Sequence, residues 1–189
     1  MARCSALADE NIYQLKVTLK RIKPPIWRRV QVPGNITLYR LHKILQVVMG
    51  WYNYHLYQFV IDGTYYSDPD DEGLIEVKNA RRRKLKDVVG QEKKRFIYEY
   101  DFGDGWEHEI IVEKILSPDP GKRYPVCLNG RRACPPEDCG GPWGYADLLE
   151  ILGDPGHPQY EEMRAWAGED FDPEKFDLEF VNQALKTVR

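Results

Sequence analysis

A chain of 189 residues with 42% apolar and 30% charged side chains can bury roughly 70% of its unfolded surface, so it needs neither disulfides nor a structural metal to hold a core, and it is not a disordered segment. No apolar run approaches the about 20 residues of a membrane span, and Asp9 and Glu10 interrupt the opening stretch before it reaches signal-peptide length. The expectation is a cytoplasmic protein without a membrane partner, carrying Cys4, Cys127, Cys134 and Cys139 as thiols. Its net charge of −3 conceals an asymmetry: residues 1–77 sum to +1, 78–98 to +7 and 99–189 to −11, a short cationic stretch beside an acidic half.

Residues 12–22 alternate, with Tyr13, Leu15, Val17 and Leu19 on one face and Gln14, Lys16, Thr18 and Lys20 on the other, which predicts a half-buried strand. Pro24-Pro25 forces a turn into a second strand over 26–32, stopped by Pro33-Gly34. From Leu38 the period changes. Leu38, Leu41, Leu45 and Val48 recur at three and four residues and predict a helix over 37–50, ended by Gly50. A third strand over 55–61 carries His55, Tyr57, Phe59 and Ile61 on one face, and Asp62-Gly63 turns it into Thr64-Tyr65-Tyr66. A polar loop is expected from 67 to 73, and 74–94 show no clean period beyond a short helix at 85–89.

Two alternating strands flank Gly103-Asp104-Gly105 within residues 96–113. A two-residue loop would set Tyr100 opposite Glu109, whereas a three-residue loop pairs Phe102 with Trp106, Tyr100 with His108 and Tyr98 with Ile110, with Gly105 left-handed. The second register keeps the apolar faces together and is the one expected. Residues 117–142 read as a long Pro/Gly/Cys-rich loop, followed by helices at 144–152, 158–167 and 178–187, the last capped by Asp177. The fold class is therefore α+β: a mixed or antiparallel sheet with one packed helix in a β-grasp-like ββαβββ order over 12–116, with 117–189 as a loop and helical appendage packing on the same unit.

Pro24-Pro25-Ile-Trp-Arg-Arg, Leu41-His42, Gly50-Trp51, His55-Leu56, Tyr100-Asp-Phe-Gly-Asp-Gly-Trp-Glu-His108 and Pro135-Pro-Glu-Asp-Cys-Gly-Gly141 together resemble the plasmid pRiA4b ORF-3-like family, in order, from about residue 12 to 186. The resemblance implies a mobile-element or plasmid passenger protein of unestablished activity. A resolvase label sometimes attached to such proteins would require a catalytic domain whose pattern this sequence lacks.

Four sets of residues carry candidate chemistry. His42 on the helix stripe, His55 at the head of its strand and His108 opposite Tyr100 all fall on inner faces, and three imidazoles are a recognised zinc set; the competing reading is three hydrogen-bonded core histidines. Glu99, Asp101, Asp104, Glu107 and Glu109 gather on the hairpin's other face and its tip, as a carboxylate patch for a hard cation or a basic partner, or as charges neutralised by Lys16, Lys20 and Arg29. Cys127, Cys134 and Cys139, spaced by seven and five, form either a thiol-metal loop or plain thiols. Arg81, Arg82, Arg83, Lys84, Lys86, Lys93, Lys94 and Arg95 supply a nucleic-acid contact or a solvated basic loop. The functional expectation is a non-enzymatic binding or accessory protein with a nucleic acid or a protein complex as partner. The alternative is a metal-dependent hydrolase or related enzyme using His42, His55 and His108 with nearby carboxylates; the sequence leaves the cofactor unknown, with zinc as the candidate.

Overall fold

The chain's alternation and helical stripes resolve into one continuous sheet with helices packed on it. The structure is a computed structural model and describes residues 11–68 and 77–188; Cys4 and residues 69–73 of the expected polar loop lie outside the described residues. Strands β1 (Ile12–Leu19) and β2 (Trp27–Pro33) pair antiparallel, Lys16 opposite Arg29, around the Pro24-Pro25 turn. Helix α1 (Leu38–Met49) begins where the Thr37 side chain accepts the Arg40 N–H at 3.2 Å and ends at Gly50 with φ +90°, a conformation that glycine adopts without a Cβ penalty. Its Leu38, Leu41, Leu45 and Val48 stripe is fully buried.

The remaining elements are β3 (Tyr57–Ile61), β4 (Thr64–Ser67), β5 (Val77–Asn79), α2 (Leu85–Val88), β6 (Arg95–Tyr100), β7 (Trp106–Leu116), β8 (Val126–Arg131), α3 (Gly141–Gly153), α4 (Tyr160–Ala167) and α5 (Leu178–Leu185), with a short 3-10 turn at Ala80–Arg82. Among the described residues, eight strands make a single mixed sheet in the order β5-β4-β3-β6-β7-β1-β2-β8, antiparallel throughout except for the parallel β4–β5 pair. The fold is mixed α+β, as expected, with more strands than the ββαβββ count. Helix α5 starts where the Asp177 side chain accepts the Phe180 N–H at 2.8 Å, and the three C-terminal helices fall where the apolar spacing placed them.

Three differences from the expected elements have physical causes. Residues 126–131, read as loop, form β8 on the outer edge of β2, Val30 opposite Cys127. Six residues ending in Asn129-Gly130-Arg131 and bounded by prolines carry little alternation. Tertiary contact supplies what the pattern lacks: Asn182 of α5 accepts the Cys127 N–H and donates to its carbonyl, both at 2.9 Å. The second difference is β5, which at three residues is too short to show a period and pairs parallel with β4.

The hairpin register is the third difference. Tyr100 faces Trp106, Tyr98 faces His108, Phe96 faces Ile110 and Glu99 faces Glu107, so the strands separate two residues earlier than expected and five residues, 101–105, connect them. A slip of two preserves the faces: Tyr98, Tyr100, Trp106 and Ile110 are all buried, while Phe102 is 46% exposed. Asp101 causes the early stop. Its backbone is left-handed at φ +55°, its Oδ1 accepts the N–H groups of Gly103 (3.0 Å) and Asp104 (3.3 Å), and its carbonyl accepts Gly105 N–H at 2.6 Å. An aspartate side chain that satisfies local N–H groups competes directly with the ladder. Gly105, at φ +64°, is left-handed as expected.

Candidate metal centre

The three inner-face histidines have different surroundings. His42, on α1, is 1% exposed and uses both ring nitrogens. Nδ1 lies 2.8 Å from Tyr98 Oη and Nε2 lies 2.6 Å from Asn53 Oδ1; an amide oxygen only accepts, so Nε2 carries the proton and Nδ1 accepts the tyrosine hydroxyl. Its ring stacks on Tyr57 at 3.7 Å. His108, on β7, is fully buried, with Nδ1 3.2 Å from the Tyr98 carbonyl. Burial holds both imidazoles neutral, pushing each down to about 4 from an ordinary 6.5. These two lie in the hydrogen-bonded layer around Tyr98.

His55 lies elsewhere. Among the described residues, the one group of histidine, cysteine and carboxylate side chains close enough to share an ion is His55, Asp101 and Asp138, with ligand atoms all within 4.8 Å of one another. His55 Nε2 is 3.2 Å from Asp138 Oδ1 and 3.7 Å from Asp101 Oδ2, is closed off from solvent, and makes no hydrogen bond. Asp101 is 6% exposed, and only its Oδ1 is occupied by the turn amides. The set that assembles thus takes one histidine from the expected triad, one carboxylate from the expected acidic patch, and Asp138, which the sequence reading did not single out.

The three segments converge because each is tied to its neighbours. The 51–56 connection is anchored at its start by Gly50 N–H and Trp51 N–H, both donating to the Gln46 carbonyl (2.8 and 3.0 Å). In its middle, Asn53 N–H donates to Gln46 Oε1 (3.0 Å), and at its end the Leu56 carbonyl accepts Asp101 N–H (2.8 Å). Trp51 Nε1 donates to the Pro135 carbonyl at 3.0 Å, linking this connection to the 135–139 loop. Gly141 brings the third segment in: a Cβ there would stand 2.4 Å from the Asp104 carbonyl, at φ +68°, so only glycine lets the hairpin tip approach α3. Asn53 (φ +61°), Asp101 and Asp138 (φ +59°) are all left-handed, a backbone state that concentrates at functional sites and that Asn and Asp tolerate best.

The other candidate residues are dispersed. Glu107 binds Lys20 at 2.6 Å and Arg21 at 3.0 Å, Glu109 binds Arg95 at 2.7 Å and Glu99 accepts from Gln58 at 2.7 Å, so two of the five carboxylates are neutralised on the sheet surface and a third is held by a neutral amide, Lys20 acting as expected and Arg29 instead pairing with Glu113 at 2.6 Å. Asp104 places a buried Oδ2 without a hydrogen bond behind the turn. Cys127, Cys134 and Cys139 are free thiols and do not form a ligand group. Burial pushes Cys127 up to about 11 and Cys139 up to about 12, and raises Cys134 as well, so the thiol form is favoured over the nucleophilic thiolate at all three. Within the basic segment Arg81 pairs with Asp68 and lies over the Tyr39 ring at 3.8 Å, Lys94 pairs with Asp62 and Arg95 with Glu109. Arg82, Arg83, Lys84, Lys86 and Lys93 remain exposed.

A groove of about 570 Å³ opens beside Asp138. Tyr52, Tyr54, Trp166 and Phe180 line it with their rings largely exposed, and Tyr52 stacks on Tyr54 at 5.8 Å. Asp138 was legible only as part of Pro135-Pro-Glu-Asp-Cys-Gly-Gly141; an Asp in a Pro/Gly-rich loop before a helix is a weak signal until its partners are known.

Residues 11–180 match the family model described as plasmid pRiA4b ORF-3-like protein. An uncharacterized protein, y4hQ, of Sinorhizobium fredii (strain NBRC 101917 / NGR234) is 42% identical over 177 residues, covering 93% of this chain and 91% of that protein. The crystal structure of MM3350, a protein of unknown function from Methanosarcina mazei Go1, superposes with a TM-score of 0.82 at 41% identity, covering 90% of this chain and 96% of that one.

Proposed function

The chain belongs to the plasmid pRiA4b ORF-3-like family, and on that footing we propose that it is a divalent-cation-binding protein whose ligands are His55, Asp101 and Asp138. One observation carries this reading: a solvent-shielded imidazole nitrogen that makes no hydrogen bond faces two carboxylate oxygens at 3.2 and 3.7 Å. Ligands bound about 2.0–2.2 Å from a common ion stand about 3.0–3.5 Å apart, close to the spacing seen. A simple imidazolium–carboxylate pair would instead align an N–H on an oxygen. One nitrogen and two oxygens suit first-row dications such as Mn²⁺, Fe²⁺ or Zn²⁺ better than Ca²⁺ or Mg²⁺, which favour all-oxygen shells. Three protein ligands leave coordination positions for an oxygen donor arriving through the groove beside Asp138, where the ion would act as a Lewis acid.

Calorimetric titration of metal-stripped protein with Zn²⁺ or Mn²⁺ tests the reading. One ion per chain is expected, with binding lost in His55→Ala and Asp101→Asn. Binding that survives both substitutions, or no binding at all, overturns it.

A second reading, a nucleic-acid contact, is supported by the five exposed cations Arg82, Arg83, Lys84, Lys86 and Lys93. They lie in one segment fixed to the sheet domain where Leu85 N–H and Lys86 N–H donate to the Ile36 and Gly34 carbonyls at 2.9 and 2.8 Å.

A further inference from the structure

We propose that the Tyr100 hydroxyl is the positioning group of this centre, the junction at which the segments carrying His55, Asp101 and Asp138 meet and are held at a common distance; the inference rests on the cation-site reading and assigns a role to a residue outside the ligand set. Tyr100 is fully buried, and its hydroxyl uses its whole hydrogen-bonding capacity. It accepts the backbone N–H of Tyr54 at 3.0 Å and of His55 at 3.4 Å, and it donates to Glu137 Oε1. The other oxygen of Glu137 accepts Tyr52 N–H at 3.2 Å. Each partner is a ligand or its immediate chain neighbour. His55 is held through its own amide, Asp138 follows Glu137, and Asp101 follows Tyr100 itself.

The ring of Tyr100 supports the same geometry. It stacks on Trp51 at 4.9 Å and meets the His55 imidazole edge-on at 5.8 Å. The 51–56 and 135–139 segments are not strands of the sheet, so no ladder sets their separation. Cross-links set it instead: the Trp51–Pro135 hydrogen bond, the Tyr52–Glu137 hydrogen bond and the Tyr100 hydroxyl. The hydroxyl alone reaches both segments and also continues directly into the third ligand.

The test combines cobalt(II) titration, read by its ligand-field absorption, with amide hydrogen exchange of the metal-free protein, in wild type, Tyr100→Phe, Glu137→Ala and Glu137→Gln. For Tyr100→Phe the expected outcome is cobalt affinity lower by about 10- to 100-fold, as for other outer-shell removals, with a shifted absorption band. Exchange at the Tyr54 and His55 amides should be at least about tenfold faster, while amides of β1 and β7 are unchanged. Glu137→Ala should move both readouts in the same direction without touching the buried ring, and it carries the test if Tyr100→Phe does not fold. Glu137→Gln, which keeps an acceptor for the hydroxyl, should restore most of the affinity. Wild-type cobalt affinity and wild-type amide exchange in both Tyr100→Phe and Glu137→Ala overturn the proposal. Should wild type itself take up no cobalt, the cation-site reading fails by that fact, and the exchange data alone decide whether Tyr100 holds the two loops: faster exchange upholds the junction and unchanged exchange refutes it.

Discussion

His42 and His55 lie thirteen positions apart in the sequence, and the fold treats them in opposite ways. His42 is sealed against Tyr57 and Tyr98 with a partner on each nitrogen; His55 is only partly covered, and its Nε2 faces two carboxylates without a hydrogen bond. A histidine whose hydrogen bonds are complete and whose charged form is disfavoured by burial serves packing. One left incomplete among carboxylates is arranged for something that is added. Inner-face periodicity cannot tell these apart, because it fixes a face and says nothing about partners.

The sharpest way to break this contrast is acid. His42 and His108 are depressed to about 4 from an ordinary 6.5, chiefly by burial, so between those values the unfolded chain binds protons that the folded chain refuses. Stability is therefore complete above about pH 6.5 and falls as pH drops toward 4. At about 1.4 kcal/mol per unit of depression, each histidine accounts for on the order of 3 kcal/mol across the window. Glu107 and Glu113, held below the usual carboxylate range by Lys20 and Arg29 respectively, lose their contribution only at lower pH, beneath about 4.5. Urea unfolding at stepped pH should show a slope near two protons between 6 and 5, reduced to about one in His108→Gln. A flat profile there would mean that the core imidazoles are not held neutral.

Next in size is the glycine that lets the hairpin tip meet α3. Gly141→Ala adds a Cβ 2.4 Å from the Asp104 carbonyl at a left-handed backbone position, combining overpacking with the conformational penalty for about 2–4 kcal/mol. Because Asp101 begins that same turn, the substitution should weaken cation binding as well as the fold. Gly63→Ala provides the control: it also has a positive φ (+72°) but meets nothing within 4 Å, and it should cost only about 1 kcal/mol. Equal thermal shifts for the two would remove the close-approach argument.

Much of the fold was legible from alternation and stripes: β1, β2, α1, β3 and the three C-terminal helices fall where the periods put them. Of the strands that escaped, β5 is only three residues long, and β8 is stabilised by β2 and α5, neighbours distant in sequence. The hairpin slip escaped because Asp101 binds its own turn amides, a side-chain event that parity arguments do not weigh. At the centre, His55 and Asp101 were singled out, but in two separate sets. Their union needed Asp138, and the motif containing it gave no distance. Four of the resembling motifs, Gly50-Trp51, His55-Leu56, Tyr100 to His108 and Pro135 to Gly141, meet at this one place. That convergence was invisible before the chain was folded.

A ligand that binds only the folded state stabilises it by about 2.7 kcal/mol at one hundred times its dissociation constant. Zn²⁺ or Mn²⁺ at that excess should therefore raise the melting temperature of wild type and of His42→Gln, and leave His55→Ala unmoved. The comparison between the two histidines then becomes a direct readout. A metal-induced shift that disappears in His42→Gln but persists in His55→Ala would falsify the assignment of roles.

The smallest expected effect concerns the basic segment, which sets exposed positive charge against the chain's acidic half. Of its eight cations, Arg81, Lys94 and Arg95 are already paired with Asp68, Asp62 and Glu109, so they release few counterions on meeting a phosphate. Arg82 and Arg83 are exposed and should each contribute close to one unit to the dependence of log affinity on log salt. Replacing Arg81, Arg82 and Arg83 together should thus lower that slope by about two units rather than three, with Arg81→Ala alone changing it little. Base sequence should matter weakly, because these side chains lack the fixed geometry needed to read base edges. The acidic half of the chain opposes binding, so micromolar affinity is the most to expect near physiological salt. Fluorescence anisotropy with single- and double-stranded DNA and RNA across a salt series measures this directly. No binding even at low salt would leave the exposed cations as a solvated face, while a slope change of three units would mean that Arg81 leaves Asp68 when phosphate arrives.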